Sequence, residues 1–287
     1  MEAEKRPYRA LLAGILLPGL GHLYAGDKRR ALYAFLLVTV LFVLGAWFAE
    51  YRIFAFTNNP FSGSDSVLGL ILSKFPIQCW PEFGNFGESA LLWNLQPPLD
   101  GERSRLLRLP LEHENLGLTL TGLSSALNFL LAADACWLVA RKNLSAERGR
   151  EVGGQLGLHL LGAWMVPGLG HWMLGKRQTA LLVGGSLLTL WILGLYFSDF
   201  RGIDRSQLYW WWAAQSGMGG PTLVSTLAFG PLQVTQDVPQ MDLGITLLSV
   251  AGLLNLAVLT DIYTQSETQA LDRAGLIEVS GHKEGRT

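Results

Sequence analysis

The chain has 287 residues, of which 49% are hydrophobic and only 16% are charged, and its formal net charge is -1. This composition is too apolar for an ordinary soluble domain, and it lacks the positive excess typical of nucleic-acid binding. The two cysteines, Cys79 in a polar stretch and Cys136 in an apolar one, argue against a disulfide framework or a thiolate metal cage. We therefore expect an integral protein of the lipid bilayer that binds no nucleic acid, metal or cofactor.

Four segments are apolar and long enough to cross a hydrocarbon core of about 30 Å, which takes about 20 helical residues. They are residues 31–49, 116–140, 179–197 and 243–263. Two more apolar stretches, residues 10–25 and 156–174, are interrupted by Pro-Gly-Leu-Gly. The sequence thus predicts an all-α membrane fold with four spanning helices, or six if the interrupted stretches also cross.

An internal repeat organises these segments. Residues 11–32 match residues 160–181 without a gap, and residues 116–134 match residues 243–261. Such a repeat fixes the architecture before any motif is considered. We predict a first membrane repeat at 1–143, a second at 144–265 and a cytoplasmic tail at 266–287, with divergent extracytoplasmic loops at 50–115 and 198–242.

The amino terminus also fits a cleaved signal peptide, because Lys5, Arg6 and Arg9 precede an apolar run. The same run with the same motif recurs at residues 160–171, far from the amino terminus. This recurrence favours a segment that belongs to the fold.

The basic residues distinguish two topologies, because cytoplasmic loops are enriched in Lys and Arg. If each Pro-Gly segment is re-entrant, fifteen of the 22 Lys and Arg lie on the cytoplasmic side together with both termini. If each segment spans, the division is 13 against nine. We therefore favour re-entrant segments in a multi-pass protein of the bacterial inner membrane. The alternative, a kinked spanning helix, would make the two repeats inverted, as in many transporters.

The motif Pro-Gly-Leu-Gly-His opens each repeat. Proline removes a backbone donor and glycine accepts positive φ, so both suit a chain reversal, while histidine can bind metal, move protons or form hydrogen bonds. We favour a hydrogen-bonding or capping role for the histidines, since no other ligand lies at metal spacing. The first repeat supplies Pro18, Gly19, Gly21 and His22, and the second supplies Pro167, Gly168, Gly170 and His171.

Polar residues within the later spans complete the candidate site. Carboxylates are costly near hydrocarbon, so we expect Asp134 and Asp261 to pair with a motif histidine or with the basic turn after it. Asn128 and Asn255 are expected to hydrogen-bond a neighbouring helix. In the second loop, Tyr209 to Trp212 suits a membrane-surface helix or an aromatic contact site, and we favour an interfacial aromatic belt.

The stretches PGLGHLYAGDKRR and PGLGHWMLGKRQ resemble a motif of small bacterial membrane proteins related to the two-transmembrane-helix domain family, and of uncharacterised bacterial inner-membrane families. The resemblance covers residues 11–49 and 160–197 and departs at Met173, where the first copy has Tyr24. It implies a bacterial membrane protein without an agreed activity. It supplies no catalytic residue.

Three classes of function remain open, and no phosphate-binding loop, nucleophile elbow or paired-histidine helix separates them. We favour a non-catalytic structural or assembly subunit that holds other membrane or extracytoplasmic proteins. The alternative is a small-solute or ion transporter or channel with a site between the repeats. A membrane enzyme acting on a lipid-linked substrate is the third, and enzymatic activity is left undecided.

Overall fold

A computed structural model describes residues 5–50, 113–149, 151–205, 208–229 and 238–276. These residues form helices, turns and short connections, and they contain no β-strand. The first half contains α1 (Pro7–Leu16), α2 (Leu20–Tyr24), α3 (Lys28–Phe48) and α4 (Glu114–Arg148). The second contains α5 (Leu156–Met165), α6 (Leu169–Met173), α7 (Arg177–Phe197), α8 (Tyr209–Gln215), a 3₁₀ turn (Ser216–Met218), α9 (Gly220–Phe229) and α10 (Met241–Arg273).

Among the described residues, four helices are long and apolar enough to cross a membrane, namely α3, α4, α7 and α10. They contain the four predicted spans, so the predicted multi-pass helical architecture is confirmed. Helix α4 runs past residue 143 to Arg148, and α10 runs past residue 265 to Arg273. Most of the predicted loop 50–115 and the last eleven residues of the predicted tail lie outside the described residues.

Within each repeat the two spanning helices meet at a pair of glycines. A Cβ on Gly45 of α3 would lie 2.6 Å from the carbonyl oxygen of Gly117 on α4. The equivalent Gly194 of α7 would bring a Cβ to 3.0 Å from the carbonyl oxygen of Gly244 on α10. Small residues allow helix backbones to approach this closely in membranes. We call this end of the bundle the far end.

Helices α1 and α2 form a hairpin that returns to the level at which it starts. The backbone N–H of Arg6 donates to the Tyr24 hydroxyl at 3.3 Å. On α4, Lys142 donates to the carbonyl of Ala25 at 2.8 Å and Asn143 donates to the carbonyl of Lys5 at 2.8 Å. Ten helical residues rise only about 15 Å, half of a hydrocarbon core. The hairpin therefore has the re-entrant geometry, and we call the end where it begins and finishes the basic end.

The two repeats run parallel. The connection after α4 carries Gly154, where a Cβ would lie 3.5 Å from Trp137 Nε1 on α4 and 3.6 Å from the Ala270 Cβ on α10. The carboxyl-terminal parts of α4 and α10 thus lie side by side at the basic end. Helices α5 and α6 form the second hairpin there, because a Cβ on Gly170 would lie 2.9 Å from the carbonyl oxygen of His159.

A further element enters the bundle from the far end. Helices α8 and α9 begin and finish there, since Phe200 and Phe229 stack with ring centroids 4.6 Å apart. Their connecting turn reaches the middle of the bundle, where the Trp164 indole donates to the Ser216 carbonyl at 3.1 Å. Trp212 is fully buried, so the expectation of a purely interfacial aromatic belt is wrong for this residue.

Helices α5 and α9 stack end to end along α4. At the basic end, Gly157 of α5 donates to Asp134 of α4, and at the far end Thr226 of α9 lies 3.4 Å from Thr119 of α4, between hydroxyl oxygens. Between them, a Cβ on Gly220 would overlap the carbonyl oxygen of Met165. Two ten-residue helices together rise about 30 Å, so this column has the length of one spanning helix.

Candidate functional site

The Pro-Gly-Leu-Gly-His motif makes the sharp turn of each hairpin. Helix α1 ends at Leu16, Pro18 is buried at the break, and Gly19 adopts φ +79° before α2 begins. In the second copy Pro167 is likewise buried and Gly168 has φ +88°. Glycine enters this left-handed region without the strain that a side chain would suffer. The motif therefore encodes a local reversal.

The motif glycines also set how closely the hairpin packs. A Cβ on Gly19 would overlap the carbonyl oxygen of Ala31 on α3, and Gly168 stands in the same relation to Ala180 on α7. A Cβ on Gly21 would overlap the carbonyl oxygen of Ala10 on α1. The first glycine thus seats the turn against a spanning helix, while the second closes the hairpin.

A glycine four residues after each histidine ends the short second helix. Gly26 has φ +82°, and the next residue, Asp27, donates its N–H to the carbonyl of His22 at 2.9 Å. Lys176 makes the same bond to the carbonyl of His171 at 2.9 Å. This is a Schellman arrangement, which satisfies carbonyl groups at a helix end. The histidine position therefore takes part in the hairpin through its backbone as well as its side chain.

The side chain of His22 meets Asp134 inside the first repeat. Its Nε2 lies 3.1 Å from Asp134 Oδ2, which also accepts from Arg30 at 3.3 Å, and the backbone N–H of Gly157 donates to Oδ1 at 3.0 Å. Only 9% of the Asp134 side chain is exposed. This carboxylate joins α2, α3, α4 and the first turn of α5. It links the first repeat to the second.

In the second repeat His171 meets Asp261 in the equivalent pair, with 3.0 Å between Nε2 and Oδ2. Gln265, one turn further along α10, donates to the same oxygen at 2.6 Å. The His171 side chain is buried, but 52% of the Asp261 side chain is exposed. The predicted aspartate–histidine pairing is thus observed twice, in two different environments.

The two asparagines bond to neighbouring elements, but not to equivalent ones. Asn128 donates to the carbonyl of Gly14 on α1 at 2.9 Å. Asn255 donates to the carbonyl of Gly217 in the turn between α8 and α9 at 2.8 Å. Each amide holds the buried tip of a re-entrant element, so the expected bond to a neighbouring helix is observed for Asn128, whereas Asn255 bonds to a turn.

A cavity of about 290 Å³ opens beside the His22–Asp134 pair, between α3, α4 and α5. Arg30 and Asp134 lie at its polar part, and Leu131, Leu158 and Leu161 form its apolar wall. A second cavity, of about 360 Å³, lies at the basic end of the second repeat, and its wall includes His159, Ser266 and Arg273.

The contact between His159 and Ser266, whose Nδ1 and Oγ atoms are 2.9 Å apart, was not predicted from the sequence. A comparison of the two repeats would have identified His159, because the first repeat has Ala10 at the equivalent position. Arg205, which is buried at the far end, was not predicted either. Its guanidinium donates to the Thr121 hydroxyl at 2.7 Å and lies 5.1 Å from the centroid of the Trp212 ring. No repeat or motif points to Arg205.

The histidine–aspartate contacts of the site are hydrogen-bonded, whereas His171 Nδ1 and Asn255 Oδ1 are buried without a hydrogen-bond partner among the described residues. Within the described ranges, no group of three or more His, Cys, Asp and Glu side chains is arranged to hold a metal ion. Each motif histidine is buried with a carboxylate on its Nε2, and Asp134 accepts from three donors. Buried charges are tolerated when they are paired and hydrogen-bonded in this way. The pairs fix hairpins to helices.

One family model, "Family of unknown function (DUF6677)", matches two tandem regions of the chain, residues 9–147 and 158–274. The two matched regions begin and end close to the limits of the two repeats. This finding agrees with the expectation of an uncharacterised membrane family, and it adds no support for the two-transmembrane-helix resemblance. No curated protein and no solved structure matches the chain.

Proposed function

The chain belongs to this family of unknown function. From its geometry, we propose that it is a non-catalytic structural or assembly subunit of a membrane complex. We place it in the bacterial inner membrane with both termini in the cytoplasm, where a basic end is favoured. Its partners would be other membrane or extracytoplasmic proteins.

The proposal rests on one observation. A face of α4 is covered in the first repeat, but the equivalent face of α10 in the second repeat is exposed. On α4, Leu123 and Leu127 are 2% and 3% exposed. Their equivalents on α10, Val250 and Leu254, are 39% and 45% exposed. The acid that continues this face is buried as Asp134 and half exposed as Asp261. We call the face of α10 formed by Val250, Leu253, Leu254, Ala257 and Asp261 the open face.

Lipid alone accounts for exposed leucines in a membrane helix, but the carboxylate beside them stays half exposed even with His171 and Gln265 bound to it. A charged group near hydrocarbon is costly unless it is paired or reaches water. In the first repeat the equivalent acid, Asp134, is covered by α5, the next helix of the chain. An array that ends on such a face is suited to receive a partner there.

The test is purification of the tagged protein from its native membrane in mild detergent, followed by measurement of the mass of the intact complex. We expect a complex of fixed stoichiometry that Leu253→Gln and Leu254→Gln on the open face weaken. The matched control is Leu182→Gln on α7, where the side chain is 72% exposed and lies off the open face. A wild-type protein that is monomeric in every mild detergent would contradict the proposal.

A second candidate, a small-solute or ion transporter, is favoured by the junction of α5 and α9. Interrupted helices whose ends meet inside a bundle are typical of transporter sites. Asn255 lies beside this junction, and its Oδ1 is buried and has no hydrogen-bond partner among the described residues. Purified protein in liposomes would be tested for H⁺, Na⁺ and K⁺ flux, with Asn255→Leu as the variant. Flux equal to that of empty liposomes would exclude transport of these ions.

A further inference from the structure

The first repeat displays what the open face is shaped to receive. There, the acid at the end of the face accepts the backbone N–H of Gly157, in the first turn of α5. Leu158 and Leu161 of α5 line the cavity beside Leu131 of α4. At its acid end, this face is therefore covered by the first helix of a Pro-Gly hairpin, whereas α9 contacts α4 further along, at Thr119.

The chain carries a second helix of this kind, α1, and the equivalent surface of α1 is uncovered. Tyr8, Leu12 and Leu16 correspond to Gly157, Leu161 and Met165 of α5 in the repeat. They are 50%, 55% and 53% exposed. Their spacing of four residues places them on one side of the helix. One molecule thus presents both an open face on α10 and an unused copy of the helix type that covers such a face.

The charges are complementary as well. Arg30 lies 3.3 Å from Asp134 in the first repeat, but the residue equivalent to Arg30 in the second repeat is Thr179. On α1, the residue equivalent to the cavity-lining Leu158 is Arg9, and it is exposed. A copy of α1 that is seated as α5 is seated would bring an arginine towards Asp261. The incoming helix therefore supplies an arginine where the second repeat has Thr179, in addition to Lys176, the cation of its own chain that acts on Asp261.

We propose that the partner at the open face is a second copy of this chain, docked head to tail. Helix α1 of one copy packs on α10 of the next, with Arg9 facing Asp261, and this contact repeats the α4–α5 contact inside each chain. The inference rests on the proposed function, since it names the partner of the same face. A head-to-tail contact uses two different surfaces, so the copies form a ring or an extending row.

Site-specific crosslinking between two differently tagged copies tests this arrangement. Both native cysteines, Cys79 and Cys136, are first replaced by serine. One copy then carries Leu12→Cys and the other carries Val258→Cys, the equivalents of Leu161 and Leu131, which line one cavity within the chain. Treatment of native membranes with a short bis-maleimide is expected to give a dimer that carries both tags.

Two controls define the result. Leu131→Cys with Leu161→Cys in one chain should crosslink within the monomer, which calibrates the reagent. Leu12→Cys with Leu182→Cys on separate copies should give no dimer above background. A Leu12–Leu12 product without a Leu12–Val258 product would overturn the head-to-tail arrangement.

Charge exchange provides the second measurement. Arg9→Asp or Asp261→Arg alone should lower the crosslinking yield by up to about fivefold, and the two together in every copy should restore it, as expected of an exposed ion pair worth at most about that factor. The cysteine test keeps both charges, so it stands even if a charge variant fails to fold. A stoichiometric complex without the Leu12–Val258 product would overturn this inference and leave the proposed function standing. The absence of any complex would overturn both.

Discussion

Replacing Asp134 by alanine should destabilise the protein more than replacing Asp261, although the two acids occupy equivalent positions in the repeat. Asp134 is 9% exposed and accepts from His22, Arg30 and Gly157. Its removal would leave the buried His22 ring and the backbone N–H of Gly157 without an acceptor, which together costs about 3–5 kcal/mol, at about 1–3 kcal/mol for each unsatisfied group. We expect a loss of that size for Asp134→Ala.

The expected loss for Asp261→Ala is about 1–2 kcal/mol, because solvent screens a side chain that is 52% exposed while the buried His171 loses its partner. Denaturant unfolding in detergent, on the monomeric fraction, measures both values. Asp199→Ala is the control, since that side chain is 60% exposed. Equal losses for the two motif acids, or a larger loss for Asp261, would refute the view that the link to α5 makes Asp134 different.

Three further outcomes follow from the packing and the topology. Gly21→Ala should lower the free energy of unfolding by about 1–3 kcal/mol, because the added Cβ would overlap a carbonyl oxygen of α1. Gly185→Ala has open space around the added Cβ and should stabilise α7 by up to about 1 kcal/mol. Unfolding measurements that rank the two variants otherwise would refute the close packing at Gly21. Asn255→Leu should cost about 1 kcal/mol by the same measurement, through loss of its bond to the α8–α9 turn, and no loss would contradict the role assigned to that bond. Cysteines replacing Lys28 and Lys176 should react with an impermeant thiol reagent only from the cytoplasmic side, and labelling from outside would exclude the proposed orientation.

The main architecture could be predicted because it depends on signals that a single sequence carries strongly. Length and hydropathy identify four spans, and the ungapped match of residues 11–32 to 160–181 identifies two repeated units, for which the distribution of Lys and Arg favours a parallel orientation. The His22–Asp134 pair could also be predicted, since a carboxylate inside an apolar segment requires a partner. These features follow from the cost of crossing a membrane.

The α8–α9 element was not predicted, for a physical reason. Residues 216–221 read Ser-Gly-Met-Gly-Gly-Pro, a composition typical of an exposed turn, and α9 has only ten residues. These glycines instead lie in close contact with the backbones of other helices. No local feature of the sequence distinguishes glycines in such contacts from glycines of an exposed turn. The contact of Asp134 with Gly157 was missed for a related reason, because the donor is a backbone N–H that any residue would supply.

The stacked column of α5 and α9 has a consequence for how the protein matures in its membrane. Neither ten-residue helix is long enough to be inserted as a span, and the two enter the bundle from opposite ends. The turn before α9 is held by Asn255 of α10, which follows it in the chain. The column can close only after α10 has crossed, so we expect the interior to stay unsealed until α10 is in place, and a chain shortened before α10 to present the ends of its two apolar half-helices to quality-control proteases.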